Sequence, residues 1–235
     1  MTTSTSFTGF PAAALQFFHD LALNNNREWF KAHEADYRRS VLEPAQAFVI
    51  SLGERLRAAF PGVGYDPRAN GGSIMRIYRD IRFSADKSPY HTNLRLSFWE
   101  GPDKKGENPG YFLSLDDRGG EVYAGMHMFE KDLLEKYRAA AADPVTGGEL
   151  EAAIAAVQGA GGCEVGGESY KRVPAGYSPD HERAALLRYG GLYARSPRIE
   201  PAGLLTPSLV DTCFEYCRSM APINGWLSEL LSTPS

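Results

Sequence analysis

Up to residue 60 the apolar positions recur at three- and four-residue intervals, the period of a helix packed on one face. Leu15, Phe18, Ala22 and Leu23 place a first helix over 10–23, with Pro11 suited to its first turn, before Asn24-Asn25-Asn26 breaks it. Asn25, with Glu28 three residues on, has the form of a capping box. A second helix is predicted over 27–39, with Trp29, Phe30, His33 and Tyr37 near one face and a boundary at Glu43-Pro44. Phe48, Leu52 and Leu56 carry a third helix to Phe60, where Pro61-Gly62 stops it.

From Ser73 the period shortens to two. The stretch 73–79 reads as a strand. So does 94–99, where Leu94, Leu96 and Phe98 alternate with Arg95, Ser97 and Trp99. Residues 101–109, rich in Gly, Pro, Asn and Lys, read as a solvated loop. Tyr111, Leu113 and Leu115 alternate in a third strand, 116–120 turns the chain, and 121–129 is a fourth strand that closes a hairpin.

Helical spacing returns over 131–142 and 149–158. The glycine-rich run 159–167 reads as a flexible loop. No Lys-Ser/Thr follows it, so it is not a phosphate loop. A short strand over 169–173, a helix over 179–189 and a candidate strand over 192–199 come next. Helical pieces at 207–219 and 222–231 end the chain, the second starting at Pro222. This order predicts an α+β fold: a central antiparallel sheet of four or more strands with N-terminal and C-terminal helices packed on it. No repeat or polar linker divides the chain. Residues 7–232 are therefore expected to form a single domain behind a disordered tail over 1–6.

Composition narrows the function classes. Of 235 residues, 43 % are hydrophobic and 23 % charged, values that support a packed core and argue against general disorder. The net charge of −4 gives no overall pull toward nucleic acid or anionic membrane, so any anion binding has to be local. No apolar run approaches the ~20 residues of a membrane span. Residues 1–6 lack the basic start and apolar middle of a signal peptide, which leaves a cytoplasmic address by default. The three cysteines are odd in number, and Cys213 and Cys217 read as buried thiols. No metal-ligand spacing, serine elbow or dinucleotide fingerprint is present, and no cofactor is read from the chain.

One segment stands apart. From Arg76 to Arg95 five cations, Arg76, Arg79, Arg82, Lys87 and Arg95, face two carboxylates, Asp80 and Asp86. The local balance is about +3 on a chain otherwise near −7, the pattern of a bounded anion site. Arginine's planar fork matches phosphate and carboxylate oxygens, Ser84, Ser88 and Thr92 add hydroxyl donors, and Tyr78, Phe83 and Tyr90 supply a stacking wall. Strand alternation sets Arg76 with Tyr78 and puts Arg79 on the other face. The competing reading is an ion network in which Asp80 and Asp86 pair with the arginines and pin the loop.

Several motifs resemble a bacterial and fungal family, domain of unknown function 2461. They are Phe7-Thr8-Gly9-Phe10-Pro11, Asn25-Asn26-Arg27-Glu28-Trp29-Phe30, the run from Arg76 to Ser84, Asp86-Lys87-Ser88-Pro89-Tyr90 and the run from Pro174 to His181. The resemblance runs in order from about residue 7 to residue 230. It implies a single full-length domain and brings no assigned activity. The chain departs from the family pattern with His91 and Gly190 where lysine is usual and Glu182 where proline is usual. His91 supplies a cation only when protonated, which weakens it as an essential base.

Arg79, Arg82 and Lys87 are expected to hold an anion, Arg76 to orient it or pair with Asp80, and Tyr78 and Tyr90 to wall the organic part. Asp80 or His91 is the general base if there is chemistry. The ligand is a phosphorylated or carboxylated small molecule or nucleotide. The alternatives are an Arg/Tyr surface for an acidic protein or single-stranded nucleic acid, the nucleic acid being less favoured, and a purely structural cluster. Residues 25–29 form a candidate second wall, with Trp29 read as core. His127 on the fourth strand is a candidate acid or base, more simply structural. Tyr177, Asp180 and His181 suit a lid or, by preference, a helix cap.

Overall fold

The computed structural model describes residues 6–69, 71–101 and 108–232. The expected tail lies outside these residues except for Ser6, as does most of the expected loop over 101–109. The chain opens with α1 (Ala12–Leu23), α2 (Arg27–Ala32), α3 (Glu34–Tyr37) and α4 (Glu43–Ala59), with a π-helical turn at Arg38–Leu42 between the last two. The helix predicted over 27–39 is broken at His33, whose φ of −111° and ψ of 14° leave helical geometry. Its ring stacks on Trp29 with centroids 4.1 Å apart, and its Nδ1 donates to the Trp29 carbonyl at 2.8 Å. The predicted boundary at Glu43-Pro44 is where α4 begins, but the chain reaches it without leaving the helix. Pro44 has no N–H to offer the preceding turn, and the chain widens into the π turn there and runs on into α4.

Strands β1 (Val63–Gly64), β2 (Leu94–Glu100), β3 (Gly110–Asp116), β4 (Gly119–Met126), β5 (Glu164–Glu168) and β6 (Tyr189–Arg195) form one antiparallel sheet in the order β1-β2-β3-β4-β6-β5. With helices at both ends of the chain, this is the α+β arrangement predicted. The β3–β4 hairpin turns on Asp117-Arg118, shorter than expected. The predicted strand over 73–79 is not a strand of the sheet, because its backbone divides its bonds between two partners. Ser73 and Met75 bond Ser97 and Arg95 of β2, whereas Ile77 and Arg79 bond His91 and Pro89.

Three further elements shift. The glycine run expected as a loop contains β5. At Gly167, φ is 138° and a Cβ would sit 2.0 Å from the Gly191 carbonyl oxygen, so glycine is what lets β5 approach β6. The predicted strands at 169–173 and 192–199 accordingly move back to β5 and β6. The predicted helix over 179–189 is a series of turns ending in a 3-10 turn, Leu186–Arg188. Side chains compete for its backbone: Asp180 N–H donates to Ser178 Oγ at 3.2 Å and Arg183 N–H to His181 Nδ1 at 3.0 Å.

After α5 (Lys131–Ala142), α6 (Pro144–Gly159) starts earlier than predicted. Its first turn is capped by the Asp143 carboxylate, which accepts from Val145 and Thr146 N–H. A short α7 (Pro201–Leu204) precedes α8 (Leu209–Ser232), one helix in place of the two predicted. Pro222 lies inside it, and Met220, Ile223 and Leu227 around that proline are buried, so the packed face keeps the helix going where local preference would stop it.

Two compact units divide the chain: 1–98, 112–122 and 198–214 in the first; 99–111, 123–197 and 215–235 in the second. The first is packed around Phe48, Leu52, Leu56, Leu96 and Phe98, all fully buried. Phe7 and Phe10 meet the Phe48 ring at 5.0 and 5.9 Å. Gly9 permits this. Its φ is 108°, and a Cβ there would lie 2.2 Å from the Leu205 carbonyl oxygen. The second unit is packed around Tyr137, Leu150, Leu187, Leu192 and Ile223, with Phe129 and Trp226 on the Tyr137 ring. Among the described residues no helix is long and apolar enough to cross a membrane.

Candidate functional site

In the first unit, Tyr78 and Tyr90 form an antiparallel bridge. Arg79 N–H donates to the Pro89 carbonyl at 2.9 Å and His91 N–H to the Ile77 carbonyl at 2.8 Å. The pair makes a short ribbon on which Tyr78 and Tyr90 share one face. On the tyrosine face the Tyr90 ring stacks on Phe30 of α2, with centroids 4.2 Å apart and planes 20° from parallel. Tyr78 lies 5.2 Å from Tyr90 and 6.2 Å from Phe30 and is 53 % exposed. Tyr37 closes the panel against Phe30 at 5.5 Å. Burial first, and then the neighbouring Tyr78, pushes its phenol up to about 12.

The ribbon is fastened to the start of α2 by Asn25. This side chain donates to the Tyr90 carbonyl at 2.9 Å and accepts from the Tyr90 N–H at 3.0 Å. It is therefore not the helix cap. Asn26 caps α2, accepting from the Trp29 N–H at 2.9 Å. The two asparagines divide the work: Asn26 starts the helix and Asn25 clips it to the ribbon.

A cleft of about 450 Å³ opens over this panel. Phe30, Tyr78 and Tyr90 form its wall, with Ile81 and Pro89 beside them. Arg27 and Lys31 of α2 and Arg79 of the ribbon bring positive charge, and Glu34 brings one carboxylate. Arg27 and Lys31 are exposed and form no ion pair among the described residues. A second, smaller recess of about 160 Å³ shares Phe30, Glu34 and Tyr78 and continues toward Tyr37 and Arg38.

Only part of the sequence-predicted set lines the cleft. Tyr78, Arg79 and Tyr90 do. Arg79 is also a clamp: its guanidinium donates to the Ser88 carbonyl at 3.0 Å and to Asp86 at 2.5 Å, closing the 84–88 loop. The Asp86 carboxyl is held down to about 2, mainly by the Ser88 N–H and hydroxyl and then by Arg79. Arg82 closes its fork on Asp80 at 2.7 Å, and this hydrogen bonding lowers the Asp80 carboxyl below its usual range. Lys87 Nζ donates to the Ile81 carbonyl at 3.0 Å. The ion-network reading thus describes Arg79, Arg82 and Lys87 in part.

Arg76 is exposed and forms no ion pair among the described residues, while Arg95 donates to its carbonyl at 2.9 Å. His91 lies within the field of Arg95, Arg79 and Arg76. Burial foremost, then those three cations in that order, lowers its imidazole to about 4.

Lys31 and Glu34 lie outside the residues expected to form the site. The available signal was their spacing from Arg27, at i+4 and i+7, within the helix predicted over 27–39 that also carries Phe30. Outside the cleft, His127 is exposed in a bend just after β4 rather than on the strand, with its ring 5.2 Å from Tyr193. Tyr177 lies in a bend before the segment expected as a helix, and Asp180 and His181 lie where turns replace that helix, so Asp180 caps none. All three cysteines are buried. Among the described residues no group of three or more His, Cys, Asp or Glu side chains is placed to hold a metal ion.

No curated protein matches the chain. The family described as Conserved hypothetical protein (DUF2461) matches residues 13–226, a span that contains the Asn25 clip, the aromatic panel and the arginine-rich segment. The chain belongs to that family.

Proposed function

We propose that the cleft over Phe30, Tyr78 and Tyr90 binds a small molecule that joins a phosphate or carboxylate to a planar organic part. The observation that carries this reading is an aromatic ring left 53 % exposed over a buried stacked pair, with two cations on the same cleft that form no ion pair among the described residues. An exposed tyrosine face offers stacking area that the fold does not consume. Arg27 and Lys31 are free to close on an oxyanion, and Arg79 presents a guanidinium whose direction its loop contacts already set. Glu34 favours a ligand with a hydrogen-bond donor beside the ring. Asp80 and His91 do not line the cleft, so the proposal is binding and assigns them no reaction.

Isothermal titration with inorganic phosphate, phenyl phosphate and adenosine monophosphate tests it. The ring-bearing phosphates should bind more tightly than phosphate alone. Arg27→Ala with Lys31→Ala should weaken all three at least tenfold, Tyr78→Ala should weaken only the ring-bearing pair, and Arg82→Ala should change nothing. No binding to any of the three, or equal binding by the double variant, sinks the proposal.

A second reading has its own observation. Phe83 is 95 % exposed, with the Arg82 guanidinium 5.8 Å from its ring centroid. A solvent-facing aromatic beside cations suits a stacked base or an acidic protein surface. Under that reading a single-stranded oligonucleotide binds in a steeply salt-dependent way, and Phe83→Ala removes the binding while leaving the phosphate titrations intact.

A further inference from the structure

We propose that the second unit docks a basic amphipathic helix of a partner protein, in a groove between α5, α6 and the C-terminal part of α8. The groove encloses about 720 Å³. From α5 it takes Asp132, Glu135, Lys136, Ala139 and Ala140, positions at i, i+3, i+4, i+7 and i+8 that lie along one face. From α8 it takes Trp226, Glu229 and Leu230, again at helical spacing, and from α6 Thr146 and Glu149. Each of three helices thus turns a stripe toward one recess that no described element fills. That is the geometry of a helix-in-groove site.

The floor is apolar but mostly closed: Trp226 and Leu230 are buried, and the exposed Ala139 with the half-buried Ala140 offers the surface an apolar stripe would meet. The Trp226 indole is held in place, its Nε1–H donating to the Thr146 carbonyl at 3.0 Å and its ring standing edge-on to Tyr137 at 5.8 Å. Ala139 and Ala140 are small and allow a close approach. The α5 stripe rises about 12 Å, so the occupant seats about two helical turns.

The rim decides the occupant's charge. Asp132, Glu135, Glu149 and Glu229 stand around the groove against the single cation Lys136, and Asp132, Glu135 and Glu149 form no ion pair among the described residues. Such a rim repels phosphate and acidic peptides and favours lysine or arginine on both flanks of an apolar stripe.

Two synthetic helix-forming peptides with the same leucine stripe, one flanked by lysines and the other by glutamates, test the proposal against the full-length protein. Calorimetry reads affinity, and the Trp226 indole N–H resonance, assigned through Trp226→Phe, reads location. The lysine peptide should bind, move that resonance and weaken as salt rises, and the glutamate peptide should do none of these. Glu135→Lys with Glu149→Lys should weaken binding at least tenfold. So should Ala139→Arg, which fills the groove from an exposed helix position and should leave the melting temperature unchanged. Equal binding of the two peptides, binding indifferent to both variants, or no heat and no resonance shift with the lysine peptide at about 1 mM overturns it.

Discussion

Two side chains in the first unit carry consequences out of proportion to their size. Asn25 satisfies both backbone groups of Tyr90, so Asn25→Ala strips a half-buried N–H and a C=O of their partners at once. A loss of about 2 kcal/mol in urea unfolding is expected, together with weaker binding of phenyl phosphate as the stacked panel loosens. Arg79 has a double role that one variant separates. Arg79→Ala frees the Ser88 carbonyl, for about 1 kcal/mol of stability, and should also cost affinity. Arg79→Ala that lowers stability with unchanged phenyl phosphate titrations would show the arginine to be purely a loop clamp. Arg82→Ala, which removes an exposed pair with Asp80, should move the melting temperature very little.

Among the elements, those that depart from local preference do so where packing or close approach dominates. Gly125 of β4 has φ 111°, and a Cβ there would come within 2.3 Å of the Leu192 carbonyl oxygen on the paired β6. Gly125→Ala should therefore cost about 2–3 kcal/mol and loosen the β4–β6 register, read as faster amide exchange across Met126 and Leu192. Leu96 of β2 is fully buried in the first unit, and Leu96→Ala is expected to cost about 2–5 kcal/mol in the same unfolding assay. Pro222 inside α8 and the π turn before α4 belong to the same class: buried faces on either side hold a helix together through a position that alone would interrupt it.

For the molecule as a whole, pH reports on the arginine cluster. His91 titrates near 4 in the folded chain against an ordinary value of 6.5. Between those values the unfolded chain binds a proton that the native chain does not. The stability His91 contributes is therefore complete above pH 6.5 and declines as pH falls toward 4. Urea midpoints measured across that window should fall for the wild type and fall less for His91→Gln. An equal slope in both would locate the effect elsewhere. An anion held by Arg79 offsets part of the positive field at His91, so phenyl phosphate should raise the histidine's midpoint in an NMR titration. A midpoint that does not move would place the ligand away from Arg79.

Repetition of apolar positions was enough to read the α+β order, the helices at both ends and the hairpin of β3 and β4, because period and turn chemistry are local properties of the chain. Concentrated charge was enough to single out the segment from Arg76 to Arg95. Which of its cations remain available was a tertiary decision. Asp80 takes Arg82 and Asp86 takes Arg79 through loop geometry that spacing does not reveal, while Arg27 and Lys31 come to the cleft on a helix some fifty residues upstream. The glycines of β5 likewise became a strand only because β6 lies alongside to pair with them, an approach that the missing Cβ permits. Local pattern determines which conformation a stretch prefers. Long-range packing determines which backbone groups, side chains and charges are left over for a ligand, and that remainder is where this protein's candidate sites lie.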